Sequence, residues 1–323
     1  MDAPTTLQQA ILYFSDLKRC NSFMISVRWK DGKVRCPHCG SENVTYLENV
    51  NRWKCYAKHP KAQFSLKVGT IFEDSALGLD KWLAAVWLIV NCKNGISSYE
   101  LARDLGVTQK SAWHMAHRIR LALQAGHLGK LGREVEVDET LIGGHPRNMH
   151  AAKRKRLGIS QSRSMIGKIA VMGLLERHGE KGSRVRTEVI ETRRKHKLAK
   201  TIGENVELGV AIYTDALRSY DRMEQHSYVR GVIDHDEAYV DGQIHTNGLE
   251  NYCSLLKRAI KGTYVSVEPF HLFRYFDEQA FRFNNRREVT DLDRFHLAIS
   301  QVAGKRLTYA EVSGKTRVPE SIH

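Results

Sequence analysis

Residues 133–144 read REVEVDETLIGG, and their alternation decides how the chain is built. Val135 and Val137 alternate with Glu134, Glu136 and Asp138, a period of two that predicts a strand carrying three acids on one face. Downstream, SMIGKIAVMGLLE (164–176) and RVRTEVIE (184–191) are two more strand candidates, and HKLAKTIGENV (196–206) has a helical pattern. GVAIYTD (209–215) is an apolar strand that ends on Asp215. Helical spacing returns in NGLENYCSLLKRAIKG (247–262) and PFHLFRYFDEQAFRFNNR (269–286). Three strands, a helix, a strand and further helices predict a mixed α/β layer fold. In the 247–262 helix, Leu249, Tyr252, Leu256 and Ile260 share a core-facing stripe, and Glu250, Ser254, Lys257 and Lys261 share the neighbouring face.

Upstream, AGHLGKLGR (125–133) holds three glycines and marks a domain boundary. Before it the texture is helical. Trp82, Leu83, Val86, Trp87 and Val90 form one stripe in a helix that starts near Leu79. Ser97 or Ser98 caps a helix that ends near Leu105, Gly106 turns the chain, and Thr108 caps a second helix from Gln109. This pair reads as a helix-turn-helix. Ala102, Leu105, Val107, Ala112 and Ile119 lie where the helices pack, and Gln109, Lys110, Ser111, His114 and Arg118 are expected to face outward toward a groove and its phosphates. Residues 34–72 are short strand-like runs between turns, and the first thirty residues read as a short helix and a loop.

Cys36-Pro37-His38-Cys39 is followed by Cys55, with fifteen residues between Cys39 and Cys55, and Cys55 by His59. Two thiolates on one turn and a Cys/His pair on another supply four ligands for one tetrahedral Zn²⁺, while His38 sits inside the knuckle and is not expected to bind the same ion. The six cysteines otherwise stand singly, which favours metal over disulfides.

The chain has 50 Lys+Arg against 36 Asp+Glu over 323 residues, a net charge of +14. Residues 145–200 alone carry 16 Lys+Arg and 4 Asp+Glu. A surplus so concentrated predicts a phosphate-binding surface, with Lys153, Arg154, Lys155 and Arg156 as its clamp rather than a nuclear signal. The longest apolar stretch, Trp82 to Val90, is far short of the ~20 residues a membrane span needs. MDAPTTLQQA has no basic region followed by an apolar run, so neither secretion nor a membrane is expected. Gly314-Lys315-Thr316 resembles the end of a phosphate loop, but Tyr309 stands where its earlier glycine belongs.

Asp138 and Asp215 are expected at strand ends and Glu250 on a helix face, and three converging carboxylates require a cation. Mg²⁺ (or Mn²⁺) suits such oxygen donors, and two ions ~3.5–4 Å apart activate an attacking water and stabilise a leaving oxygen. Asp234, Asp236, Glu237 and Asp241 compete for the third place but precede the helix in a segment without periodicity.

EVDET-LIGG, YTDA with nearby Tyr220, HTNGLENYCSLLKRAIKGTY and FRYFDEQAFRFNNR together resemble the DDE transposases of bacterial insertion sequences. The head, CPHCGSENV followed by KCYAKHPKAQFSLKVGTIFEDS, is similar to the zinc-ribbon group related to eukaryotic Merlin elements. The likeness spans about residues 15–290 and implies an RNase H-like catalytic domain with Asp138, Asp215 and Glu250 as its acidic triad. Lys257 matches that family's basic residue, and His245 and Asn247 match its H-x-N lead-in. His59 stands where many relatives carry a cysteine. The expected organisation is a helical segment (1–30), a zinc ribbon (31–75), the helix-turn-helix region (79–125), the catalytic domain (131–300) and a tail (301–323). The resemblance implies a transposase that binds its element's terminal inverted repeats, cuts them with metal and transfers the strand to target DNA. It also implies a homo-oligomer, at least a dimer, on double-stranded DNA in the bacterial cytoplasm at the nucleoid. The competing expectation is a zinc-ribbon, helix-turn-helix regulator, or a transposase that binds ends without cutting them.

Overall fold

The alternating stretch folds as a strand, Val135–Ile142, at the centre of a five-stranded sheet. The structure is a computed structural model that describes residues 4–124, 129–143, 150–156, 158, 168–179, 182–190, 194–215, 228–233, 245–265 and 267–315. Its elements in chain order begin with α1 (Leu7–Phe14), α2 (Leu17–Arg28), β1 (Val44–Leu47), β2 (Arg52–Cys55), β3 (Gln63–Phe64), α3 (Leu79–Asn91), α4 (Ser98–Leu105) and α5 (Gln109–Ala122). They continue with β4 (Val135–Ile142), α6 (Ala151–Arg156), β5 (Ile169–Glu176), β6 (Arg184–Ile190), α7 (Lys195–Asn205), β7 (Ala211–Asp215) and β8 (Val229–Ile233). The last are α8 (Asn247–Arg258), α9 (Leu272–Asn284), α10 (Asp291–Ile299) and α11 (Tyr309–Val312). Two compact units result, one of residues 125–288 and one of 1–124 with 289–323.

The 125–288 unit is built on a sheet of order β6-β5-β4-β7-β8. β4, β5 and β6 run antiparallel in succession, while β7 is parallel to β4 and β8 is parallel to β7. This mixed order, flanked by helices, is the RNase H-like arrangement. One core layer joins Val135, Val137, Met172, Leu174 and Ile212 to Leu198 and Ile202 of α7. The other joins Ile142, Val171, Leu175 and Val185 to Leu249, Tyr252 and Leu256 of α8 and to Tyr275, Phe276 and Phe283 of α9. Because strand positions alternate, burying Val135 and Val137 under α7 assigns positions 134, 136 and 138 to the α8 side.

In the other unit, β1-β2-β3 form a small antiparallel sheet. α3 is buried almost all round and is the centre of the helical part. The first thirty residues form two helices where one helix and a loop were expected. Asp16 caps the second by accepting from the Lys18 N–H, and Cys20, Asn21 and Met24 bury its inner face. α10 and α11 also belong to this unit, although residues to 300 were expected in the catalytic domain and 301–323 as a tail. Phe295 is fully buried, with ring centroids 5.5 Å from Phe14 and 5.3 Å from Trp87. Val302 accepts a backbone bond from Ile71, and Gly304 donates one to Gly69. An amphipathic helix shows its apolar face in the sequence but not which core receives it. Ser97 accepts from the Glu100 N–H, Gly106 turns at φ +60°, and Thr108 accepts from the Ser111 N–H, so α4 and α5 stand where the capping signals put them. Among the described residues no helix is long and apolar enough to cross a membrane.

Candidate functional site

The ribbon brings together the four side chains that its spacing singled out. The first turn closes with the Gly40 N–H donating to the Cys36 carbonyl at 2.8 Å, and Gly40 takes φ +75°, where a side chain is strained. Cys55 ends β2, and its N–H donates to the Ala62 carbonyl at 2.7 Å, which folds the loop bearing His59 back on the strand. The ligand atoms of Cys36, Cys39, Cys55 and His59 all lie within 4.8 Å of one another. The Cys39 and Cys55 Sγ atoms are 3.7 Å apart, and Cys36 Sγ is 3.5 Å from His59 Nε2. Bonds of ~2.3 Å to sulfur and ~2.0–2.1 Å to nitrogen give tetrahedral edges of about 3.8 and 3.6 Å, so these donors suit one zinc ion. The His38 ring stands 5.8 Å from that of His59, centroid to centroid, and supplies no ligand to the cluster.

The acidic face is assembled from separate elements. Asp138 is half-buried in the middle of β4, opposite Gly173 of β5. A Cβ at Gly173 would lie 2.6 Å from Leu249 Cδ1, so the missing side chain is what lets α8 lie directly on the sheet there. Leu249 is fully buried at that contact, and the next residue is Glu250, exposed in the first turn of α8. Glu250 Oε1 accepts from Thr246 Oγ1 at 3.1 Å. Cys253, one turn on, is buried, and its thiol is pushed up to about 12 by that burial and by the charge of Asp138, against Lys257 and with a smaller contribution from Glu250. One buried thiol therefore feels Asp138, Glu250 and Lys257 together. β7 pairs with β4 as far as Val137 and Thr214, and Asp138 and Asp215 are the next residues of the two parallel strands. Asn247 is exposed at the start of α8. Asp234, Asp236, Glu237 and Asp241 lie outside the described residues.

Sequence reasoning grouped Glu136 with Asp138 and missed what separates them. Glu136 is only 1% exposed. Its Oε1 accepts from Arg177 Nε at 2.7 Å, and its Oε2 accepts from the Leu249 N–H at 2.7 Å. Glu136 thus pins the first turn of α8 to β4 through a backbone donor that no helical carbonyl reaches. Arg177 also lies 4.3 Å over the Tyr213 ring and donates to Nδ1 (2.8 Å) and to the carbonyl of His245. His245, one of the expected auxiliary residues, is therefore held by Arg177 just ahead of α8. Glu134, Arg177, His178, Ser183, His245 and Gly248 line a cavity of about 420 Å³ beside this pair. A usable signal was present: an acid on the packed face of a central strand requires a buried cation, and Arg177 directly follows the neighbouring strand.

Two domain descriptions match the chain, an ISXO2-like transposase domain over residues 130–284 and a transposase zinc-ribbon domain over residues 17–57. The chain thus carries an ISXO2-like transposase domain and a transposase zinc ribbon. A protein of transposable element ISH50 from Halobacterium salinarum is 29% identical over 253 residues, 76% of this chain and 83% of the relative. A transposase-like protein of Haemophilus influenzae is 28% identical over 102 residues, 32% of this chain and 82% of the relative. Among solved structures, the Mos1 strand transfer complex gives a TM-score of 0.23 at 12% identity, covering 68% of this chain and 78% of that one. A Mos1 transposase paired-end complex gives 0.23 at 13%, covering 69% and 80%. At such scores the RNase H-like assignment stands on the sheet's own strand order.

The transposase's helix-turn-helix departs from expectation along α5. Gln109 and Ser111 are half-buried and Lys110 is exposed, but Gln109 Nε2 donates to Ser98 Oγ and Lys110 Nζ sits 4.6 Å over the Tyr309 ring. The half-buried His114 ring pairs with the Leu307 carbonyl at 3.3 Å, and its pKa is lowered by burial and by Arg118. Arg118, expected to face outward, is 4% exposed, lies 5.3 Å over the Trp82 ring and donates to the Glu73 carbonyl. The correction has a simple cause: from Met115 to Arg120 every residue of α5 is buried, because other parts of the unit cover the face that a two-helix reading leaves open. On α6, Lys155 and Arg156 are exposed and Arg154 is half-buried, while the side chain of Lys153 lies outside the described residues.

Proposed function

We propose that this chain is a DNA-cutting and strand-transferring transposase whose acidic centre is Asp138, Asp215 and Glu250. The observation that carries the reading is the Gly173–Leu249 contact, which seats the helix of Glu250 on β5 directly opposite Asp138 of β4. The donor set is oxygen-only and hard, which suits Mg²⁺ or Mn²⁺. Two such ions would supply activation of a nucleophile and charge stabilisation at the leaving oxygen of a phosphodiester. Asp138 is held at mid-strand and Glu250 by its Thr246 bond, so both carboxylates are oriented before any ion arrives. Lys257, half-buried in the last turn of α8, offers its ammonium to a DNA phosphate, and Asn247 offers its amide from the first turn. The ribbon carries one structural Zn²⁺ and, with the first turn of α5 and the Lys153–Arg156 run, holds double-stranded element ends for an oligomer of at least two chains.

A gel assay on element-end DNA tests this by comparing nicking with binding of the zinc-loaded chain with and without added Mg²⁺. Asp138→Asn, Asp215→Asn and Glu250→Gln each abolish nicking and leave binding in place, because substitution removes a charged donor and little volume. Asp234→Asn and Asp241→Asn keep nicking. A Glu250→Gln protein that cuts while Asp241→Asn does not would move the third carboxylate. Wild-type protein that binds ends and never cuts them would make the chain a DNA-binding regulator.

A further inference from the structure

β2 of the ribbon alternates strictly between buried and exposed side chains. Trp53 and Cys55 face inward, against the Phe64 ring and the ligand cluster respectively, while Arg52, Lys54 and Tyr56 are exposed on the opposite face. Lys54 pairs in register with Thr45 of β1 and Gln63 of β3, both exposed, so an exposed polar row centred on Lys54 crosses the whole small sheet. Beyond the strand, Lys58 and Lys61 are exposed on the loop that carries His59. Residues 49–72 contain five Lys+Arg and no Asp or Glu. The fifth cation, Lys67, faces away and donates to the Ser75 and Leu77 carbonyls. Glu48, at the hairpin before β2, is 3.5 Å from Lys18. Lys54 Nζ lies 5.1 Å over the exposed Tyr56 ring, so an aromatic face stands within the cationic row.

We infer that this outward ribbon face, Arg52, Lys54 and Tyr56 with Lys58 and Lys61, is a docking surface for the backbone of duplex DNA. Charge sign supports it: four exposed cations stand with no acid in 24 residues of chain. Spacing supports it too, because Arg52 and Lys54, at alternate strand positions, stand about 6.8 Å apart on one face and can each meet a separate phosphate. The metal cluster anchors the row, since Cys55 lies between Lys54 and Tyr56 and His59 between Lys58 and Lys61. Such a row reads no bases and serves to set register on the duplex. The choice of DNA over other polyanions rests on the transposase reading.

The test is fluorescence anisotropy of the full zinc-loaded chain on a random-sequence DNA duplex and on an RNA duplex of equal length, across a salt series. Replacing Arg52, Lys54, Lys58 and Lys61 together by Ala lowers the slope of log K against log salt by about 0.9 for each phosphate no longer neutralised, about 2–4 in all. Zinc content stays at the wild-type value, and Lys18→Ala leaves the slope unchanged. If the fourfold variant loses zinc, the single variants Arg52→Ala and Lys54→Ala, both on exposed side chains, each lower the slope by about 0.9. An unchanged slope in zinc-loaded variants overturns the inference, and a slope that falls on RNA alone reassigns the surface to RNA. A wild-type chain that binds no DNA duplex at low salt overturns this inference and the transposase reading together. Tight wild-type binding with no response to the substitutions overturns this inference only.

Discussion

The ribbon centre and the acidic face are both clusters of ligand-type side chains, yet they are built in opposite ways. In the ribbon, four donors come from residues 36–59, and each is aimed by a turn or strand end next to it in the chain. On the sheet, Asp138 and Glu250 are more than a hundred residues apart in the chain, and Gly173, opposite Asp138, lets α8 settle where Leu249 fills the space. On the proposed reading the ribbon depends on zinc for folding, as small sheets without a large core do. The acidic face is held by protein contacts, and the Glu136–Arg177 pair and the Leu249 N–H take the structural part that zinc takes in the ribbon. The contrast is between a centre organised by its ion and a centre organised for one.

The largest expected effect breaks the ribbon alone. Structural zinc contributes an apparent ~10–16 kcal/mol in finger-type sites. Cys36→Ser with Cys39→Ser therefore takes zinc from about one ion per chain to none by metal analysis. The ribbon becomes protease-sensitive while the sheet unit unfolds at its wild-type temperature. If the double variant keeps its zinc, the ligand assignment is wrong. EDTA, by the same contrast, disorders the ribbon and leaves the fold around Asp138 intact.

Next in size is the anchor. Glu136→Ala leaves Arg177 buried without its carboxylate and the Leu249 N–H without its acceptor. Breaking one side of such a pair costs about 3–5 kcal/mol, measured as a lower urea midpoint for the sheet unit. Nicking falls in step with stability, and Glu136→Gln, which keeps an acceptor for Leu249, loses less of both. Nicking lost at unchanged stability would instead count Glu136 among the metal ligands.

The smallest effect sharpens the geometry. Gly173→Ala places a methyl group against Leu249, an overpacking that costs about 1–3 kcal/mol and displaces the first turn of α8. Adding Leu249→Ala relieves the clash, so the double variant recovers nicking relative to Gly173→Ala. A purely additive cycle would mean that Gly173 does not set the position of Glu250.

Much of this was legible because it is local. The alternation at Glu134–Asp138 named the strand and its acidic face, the i, i+3/i+4 stripe of α8 named its buried side, and Ser97, Gly106 and Thr108 marked the turns of α4 and α5. Cysteine spacing alone brought the four ribbon donors together, since a few residues of turn geometry fix their separation. What the sequence could not decide was which neighbour covers a face once it is made. Glu136 and Asp138 have the same residue environment in the chain, and only the seat of α8 buries one and leaves the other half-open. Arg118 sits on the polar side of a two-helix pattern, yet Trp82 and the Glu73 carbonyl enclose it. Phe295 reads as the apolar edge of any helix, and its place beside Phe14 and Trp87 follows from the shape of that core. Backbone periodicity and capping act over one or two turns of chain and are written in the residues themselves. Burial of a charge or a ring depends on surfaces that arrive from far along the chain, and only the folded structure brings those together.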